Sequence, residues 1–162
     1  MPMSKTAKAP ETTPAKGGKK LSTFLCFAIY SANLAFGRAY KPLLDKLGLT
    51  YTQYVTLVAL SEEDGQTVSM LGEKLFLESN TLTPILKKLE ADGYLQRRRD
   101  PADERQVRLT LTPAGRDLVD ADPGSALIDA IGLGDEFETV QQSVARLRDN
   151  LLRSGQPAPR KE

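Results

Sequence analysis

The sequence predicts a mainly helical fold carrying one small β-wing. Three observations predict it. Apolar residues recur at steps of three and four through most of the chain, the helical period. That period gives way to strict alternation only around Gln106–Leu111. Between the two stands Arg97-Arg98-Arg99 followed by the turn Asp100-Pro101-Ala102-Asp103, a hairpin with a charged tip.

Residues 1–20 are rich in Lys, Pro, Thr, Ala and Gly, a composition that cannot bury enough apolar surface to order itself. They are expected to form a disordered basic arm, as are residues 153–162 a disordered tail. The arm holds five lysines against Glu11, and the whole chain's +1 less the arm's +4 leaves −3 for the rest. Any basic face in the folded part must therefore be local. From Leu21, the residues Leu25, Ile29, Asn33, Phe36, Tyr40 and Leu43 trace a long helix with a broad apolar face, which Pro42 would kink or end at Tyr40. The stretch is too polar and too short for a membrane span, and it does not read as a signal peptide. The chain is thus expected in the cytoplasm, without a membrane partner.

Thr50 is placed to cap a second helix, in which Tyr54, Leu57, Val58 and Leu60 recur. Asp64-Gly65-Gln66 reads as a turn, and Val68–Leu75 as a short third helix. Ser79 or Asn80 would cap a fourth, with Leu82, Ile85, Leu86 and Leu89 inward and Asp92-Gly93 at its end. After the hairpin, Thr112-Pro113 restarts a helix, cap then proline at its first turn. Residues 122–134, with Pro123, Gly124, Gly132 and Gly134, are broken or looped. Asp135 would cap a last helix, striped by Phe137, Val140, Val144, Leu147 and Leu151. Broad apolar faces on terminal helices fit either oligomer contacts or packing on the chain's own core.

Composition excludes much chemistry. With no histidine there is no Ser-His-Asp triad, no Cys-His pair and no histidine-ligated metal. One cysteine excludes a multi-cysteine zinc site and an intrachain disulfide. No metal, no cofactor and no enzymatic activity are expected.

Helix, turn, helix, turn, helix and then a basic hairpin is the order of a winged helix-turn-helix, spanning about 53–112. The fourth helix would present Ser79, Asn80, Thr81, Thr83 and Lys87 outward. Small hydroxyl and amide groups at a helix start can reach base edges in a major groove, and lysines further along suit phosphates. The hairpin carries Arg97, Arg98, Arg99 and Arg108 on its strands and Arg105 at its tip. A tip arginine suits the narrow, negative minor groove of double-stranded DNA.

Asp103-Glu104-Arg105 and, after five intervening residues, Leu111-Thr112-Pro113-Ala114-Gly115 resemble the wing signature of the MarR family, over about 21–152. The resemblance implies a homodimer on a pseudo-palindromic operator. Dimerisation helices would lie at about 21–47 and 113–152, and Asp103 would brace the Arg105 side chain. Leu25-Cys26-Phe27-Ala28-Ile29-Tyr30, with Tyr40 and with Leu49-Thr50-Tyr51-Thr52-Gln53-Tyr54, is similar to the organic-hydroperoxide-sensing OhrR branch. That implies Cys26 as redox sensor, supported by Tyr30 and by Tyr40 and Tyr51 from the partner subunit. Organic hydroperoxide and a small thiol would be the reactants. The chemistry is sensible: Cys26 and Tyr30 are four apart on one helix face, and phenol O–H donors favour the thiolate that attacks an O–O bond. With one cysteine, the chain resembles the one-cysteine type. The alternative function is a MarR-type regulator released by a small aromatic or lipophilic ligand, with Cys26 incidental.

Overall fold

The computed structural model describes residues 20–154. The expected arm and tail lie outside the described residues, except Lys20 and the last two residues of the final helix. These described residues form two units, one through Phe36 and one from Gly37.

A 3-10 turn, Leu21–Thr23, leads into α1 (Leu25–Leu44). Pro42 sits inside its last turn, so of the two expected effects, a kink or an end at Tyr40, the helix does not show the end. The helix stops instead at a 3-10 turn, Asp45–Leu47, closed by Gly48 at φ +67°, the left-handed conformation that glycine adopts without strain. Up to Phe36 the large apolar side chains Leu21, Phe24, Leu25, Ile29, Leu34 and Phe36 are all exposed in the single chain.

In the second unit, α2 (Tyr51–Glu62) opens on a full capping box. The Thr50 hydroxyl accepts from the Gln53 N–H, and the Gln53 side chain accepts from the Thr50 N–H at 2.8 Å. Gln66 is not part of a turn but starts β1 (Gln66–Thr67). The Thr67 side chain then caps α3 (Val68–Leu75). Helix α4 (Ser79–Ala91) begins one residue earlier than expected. Glu78 is its N-cap, without a side-chain cap bond, so Ser79 and Asn80 lie inside the first turn.

Strands β2 (Leu95–Arg99) and β3 (Val107–Leu111) form the hairpin. The wing is three-stranded, in the order β1-β3-β2, because β1 adds antiparallel to β3 with Gln66 opposite Leu109. The sequence reading missed β1, whose two residues are too few to display alternation. Thr112 caps α5 (Pro113–Asp120) with proline in the first turn, as read from the sequence. A 3-10 turn and α6 (Ile128–Ile131) fill the broken region. Asp135 does not cap the last helix; it lies in the 3-10 turn Gly134–Glu136 that precedes α7 (Phe137–Ser154).

Leucines make the core: Leu57, Leu60, Leu71, Leu82, Leu89 and Leu109 are fully buried, and Leu44, Leu86 and Leu95 nearly so. They come from α1, α2, α3, α4 and both hairpin strands, so α4 and the wing rest on one apolar mass. The buried Gln66 side chain donates to the Ala59 and Glu63 carbonyls, at 2.8 and 2.6 Å. It thereby satisfies carbonyls that the end of α2 leaves open. This is a mainly helical winged helix-turn-helix, the predicted fold class. No residue of α7 is buried, and its stripe Phe137, Val140, Val144 and Leu151 stands exposed. No helix among the described residues is long and apolar enough to cross a membrane. Nor do the described residues group three metal-ligating side chains.

Candidate nucleic-acid interface and redox centre

Burying Leu82, Leu86 and Leu89 fixes which side of α4 faces out. Ser79, Asn80, Thr81 and Lys87 are exposed, and Thr83 is half-buried with its hydroxyl donating to the Ser79 carbonyl at 2.6 Å. Lys88 pairs with Asp92 at 2.7 Å, leaving Lys87 as the freer cation of the two.

The wing sorts its arginines by strand face. Successive strand residues point to opposite faces, and Leu95 is buried, so Arg97 and Arg99 share its side. Arg97 is half-buried. Its guanidinium lies 3.7 Å from the Glu90 carboxylate on α4, its backbone N–H donates to the same carboxylate, and its Nε is buried without a partner. The expected outward DNA contact at Arg97 is therefore engaged in holding the wing to α4. Arg99, further along, is exposed.

Arg98 and Arg108 face each other across the hairpin, a like-charge pairing that needs compensation. Asp100 supplies it. Its carboxylate takes Arg108 Nε at 2.8 Å and the Ala102 N–H at 2.9 Å, while Arg108 also donates to the Gly65 carbonyl. The Ala102 N–H first, and then the Arg108 guanidinium, hold the Asp100 carboxyl below its usual range. At the tip, Asp103 does not brace the Arg105 guanidinium. Its two oxygens accept from the Arg105 backbone N–H and the Gln106 side chain, both at 3.1 Å. Asp103 thus shapes the tip backbone, and the Arg105 side chain is exposed.

Cys26 is the second residue of α1 and is exposed. Tyr30 follows one helical turn later, also exposed, with its ring 6.4 Å from that of Phe27. In the second unit Tyr40 and Tyr51 come together, ring centroids 5.0 Å apart. A further tyrosine joins them that the sequence reading had left out of the sensor set. Tyr54 is buried, and its ring lies 6.2 Å from Tyr40. The available signal was spacing, since Tyr51 and Tyr54 are three apart on one helix face. Burial, then the Tyr51 and Asp122 charges, push the Tyr40 phenol above its ordinary range. Burial and then Asp122 do the same to Tyr54, against a bond from the Gly124 N–H that pulls the other way.

Residues 38–121, just over half of the chain, match the family of transcriptional regulators SarA/Rot. The chain belongs to this family. Over 136 residues it is 40% identical to the organic hydroperoxide resistance transcriptional regulator of Bacillus subtilis, covering 82% of this chain and 92% of that one. It is 54% identical over 100 residues to the HTH-type transcriptional regulator TtmR of Methylorubrum extorquens, covering 62% of this chain. The match takes in only 51% of TtmR, about half its length. Among solved structures, reduced AbfR of Staphylococcus epidermidis bound to DNA superposes with a TM-score of 0.71 at 36% identity, covering 82% of this chain and 94% of that one. AbfR has also been solved overoxidised on DNA and in a disulfide-formed state. These relatives are transcriptional regulators, not enzymes.

Proposed function

We propose that this transcriptional regulator is a homodimeric repressor which binds a pseudo-palindromic operator and releases it when organic hydroperoxide oxidises Cys26. Ser79, Asn80, Thr81 and Thr83 of each α4 would read base edges, with Lys87 and Arg99 on phosphates and Arg105 in the flanking minor groove. Dimerisation would cover the exposed apolar stripes of α1 and α7, within a MarR-type domain of about 21–152. The observation that carries the sensing half is the exposed sole cysteine, one helical turn from Tyr30, in a chain 40% identical to a hydroperoxide-resistance regulator.

The thiolate sulfur attacks the terminal peroxide oxygen. An S–O bond forms and the O–O bond breaks, sulfur losing two electrons and the peroxide leaving as alkoxide. A phenol or water supplies the proton that makes it an alcohol. Tyr30, with Tyr40 and Tyr51 of the partner subunit, would hold the thiolate before attack. With no second cysteine in the chain, the sulfenic acid condenses with a small thiol, releasing water and forming a mixed disulfide. The added group displaces the tyrosines, and the half-site spacing changes. A 100-fold loss of occupancy takes only about 2.7 kcal/mol. That is the size of a few lost hydrogen bonds to a charged acceptor.

The test is operator binding by the reduced dimer, using DNA from its own upstream region. Binding is measured before and after one equivalent of cumene hydroperoxide, with and without a small thiol, for wild type and Cys26→Ser. Release of wild type alone, in the presence of thiol, supports the reading. Retention by both variants sinks the redox half and favours a second reading, for which the structure offers a half-open surface pocket of about 220 Å³ lined by Gly37, Lys41, Leu44, Asp45, Leu49, Thr50 and Tyr51. A small aromatic or lipophilic ligand would then be the signal.

A further inference from the structure

The Tyr40 phenol lies against the turn that follows α5. Gly124 is buried, and a Cβ built on it would stand 2.7 Å from the Tyr40 hydroxyl and 3.2 Å from its ring Cε1. Carbon atoms do not sit that close, so the Tyr40 phenol rests directly on the glycine backbone. Two residues earlier, Asp122 takes a left-handed conformation, φ +40°, which few side chains other than Asn and Asp tolerate. Its carboxylate accepts from the Tyr54 hydroxyl at 3.5 Å, long for such a bond but the only side-chain bond given to that hydroxyl among the described residues. The turn is internally braced. Asp122 N–H donates to Val119, Ser125 donates to the Asp122 carbonyl from both its N–H and its hydroxyl, and Leu127 N–H donates to Gly124. One end of this brace is the last turn of α5, a helix that begins at the foot of the wing.

We infer that the turn Asp122–Gly124 is the seat that fixes Tyr40, making Gly124 and Asp122 positioning residues for the oxidation of Cys26 in the partner subunit. The inference rests on the peroxide-sensing reading above. A phenol that must donate to a thiolate needs a fixed direction. The seat provides one: Gly124 leaves no room for a tilt toward the turn, while the Tyr51 and Tyr54 rings pack at 5.0 and 6.2 Å between centroids. Neither residue touches the peroxide, so both act only through Tyr40 and its neighbour Tyr54.

The experiment uses the full-length reduced protein with its tyrosine rings labelled with carbon-13, the Tyr40 resonance being assigned through Tyr40→Phe. Loss of the Cys26 thiol to cumene hydroperoxide is timed on the same samples. Gly124→Ala is expected to move the Tyr40 resonance and slow thiol loss about tenfold, a small part of what an ångström of misplacement costs a reacting group. On a Tyr40→Phe background the same change should slow it less than about twofold, because coupled residues are not additive. Asp122→Ala should slow oxidation as well, and Asp122→Asn, which keeps the acceptor and the left-handed turn, should restore it; these two decide the matter if Gly124→Ala does not fold. An unmoved Tyr40 resonance in both Gly124→Ala and Asp122→Ala overturns the seat. So does equal slowing with and without the Tyr40 hydroxyl. If Cys26 is oxidised as fast in Tyr40→Phe as in wild type, the assignment of Tyr40 to the partner's thiolate falls instead, Cys26→Ser still deciding the sensing reading, and the moved resonance leaves the turn as a packing contact only.

Discussion

Gly115→Ala is expected to weaken the joint between the wing and α5, by an amount that follows from one distance. A Cβ at Gly115 would lie 2.1 Å from the Tyr94 carbonyl oxygen and 3.1 Å from its carbon. Both belong to backbone that cannot swing aside. Reaching even a 3.0 Å contact requires the two segments to part by about 0.9 Å. The Tyr94 oxygen is not free to retreat, since it accepts the Thr112 N–H at 3.1 Å, while the Thr112 hydroxyl ties to the Gly93 carbonyl at 2.7 Å. A retreat of that size stretches the Thr112 bond beyond hydrogen-bonding distance, a loss of about 1 kcal/mol. Overpacking adds about 2 kcal/mol. Replacing a helical glycine returns about 1 kcal/mol. The net expectation is a loss of about 2 kcal/mol. Urea unfolding of the reduced full-length protein at fixed concentration reads it; with a slope of about 2 kcal/mol/M, the midpoint should fall by about 1 M. Operator affinity should fall too, because the wing hangs from this joint. A stability loss below about 0.5 kcal/mol would refute the reasoning, since even the low end of the overpacking range would then be missing.

Two arginines separate DNA contact from scaffold. Arg105→Ala should weaken operator binding and flatten its log–log salt dependence by about 0.9 per wing without moving the melting temperature, whereas Arg97→Met should leave the salt slope alone and lower the melting temperature slightly, because the contact with Glu90 on α4 is lost. Asp100→Asn should flatten the acid limb of stability. The native carboxyl lies below its ordinary range, so its contribution is complete above the unfolded value near about 3.9 and is lost as pH falls through the lowered native one. Unfolding midpoints of both proteins across the acid range check this. Val144→Asp, on the exposed stripe of α7, should turn the proposed dimer into a monomer in sedimentation at micromolar concentration; a variant that still sediments as wild type does would place any interface elsewhere.

What the sequence made legible was local. Thr50 and Thr112 cap helices because a hydroxyl satisfies N–H groups two or three residues on, and such signals need no knowledge of the rest of the chain. The leucines of α4 declare its inner face by period alone. Misreadings arose where a distant partner decides. The run Arg97-Arg98-Arg99 offered Arg97 and Arg99 as DNA contacts, and the strand phased on Leu95 turns Arg97 toward Glu90 on the preceding helix. Residues two apart share a face, but that a carboxylate on α4 waits there for Arg97 is not written in the strand itself. Two-residue β1 had no period to display and exists only because β3 lies beside it. Tyr54 and Asp122 meet across 68 positions, and no local rule links them. Gly115 lies between these cases. As the last residue of Leu111-Thr112-Pro113-Ala114-Gly115 it helped carry a family resemblance, yet its physical reason is a single carbonyl 21 residues away, which only the fold brings near. A motif of this kind preserves a long-range contact in a short stretch of text. It locates the wing joint well, but it cannot display the force that a substitution there would meet.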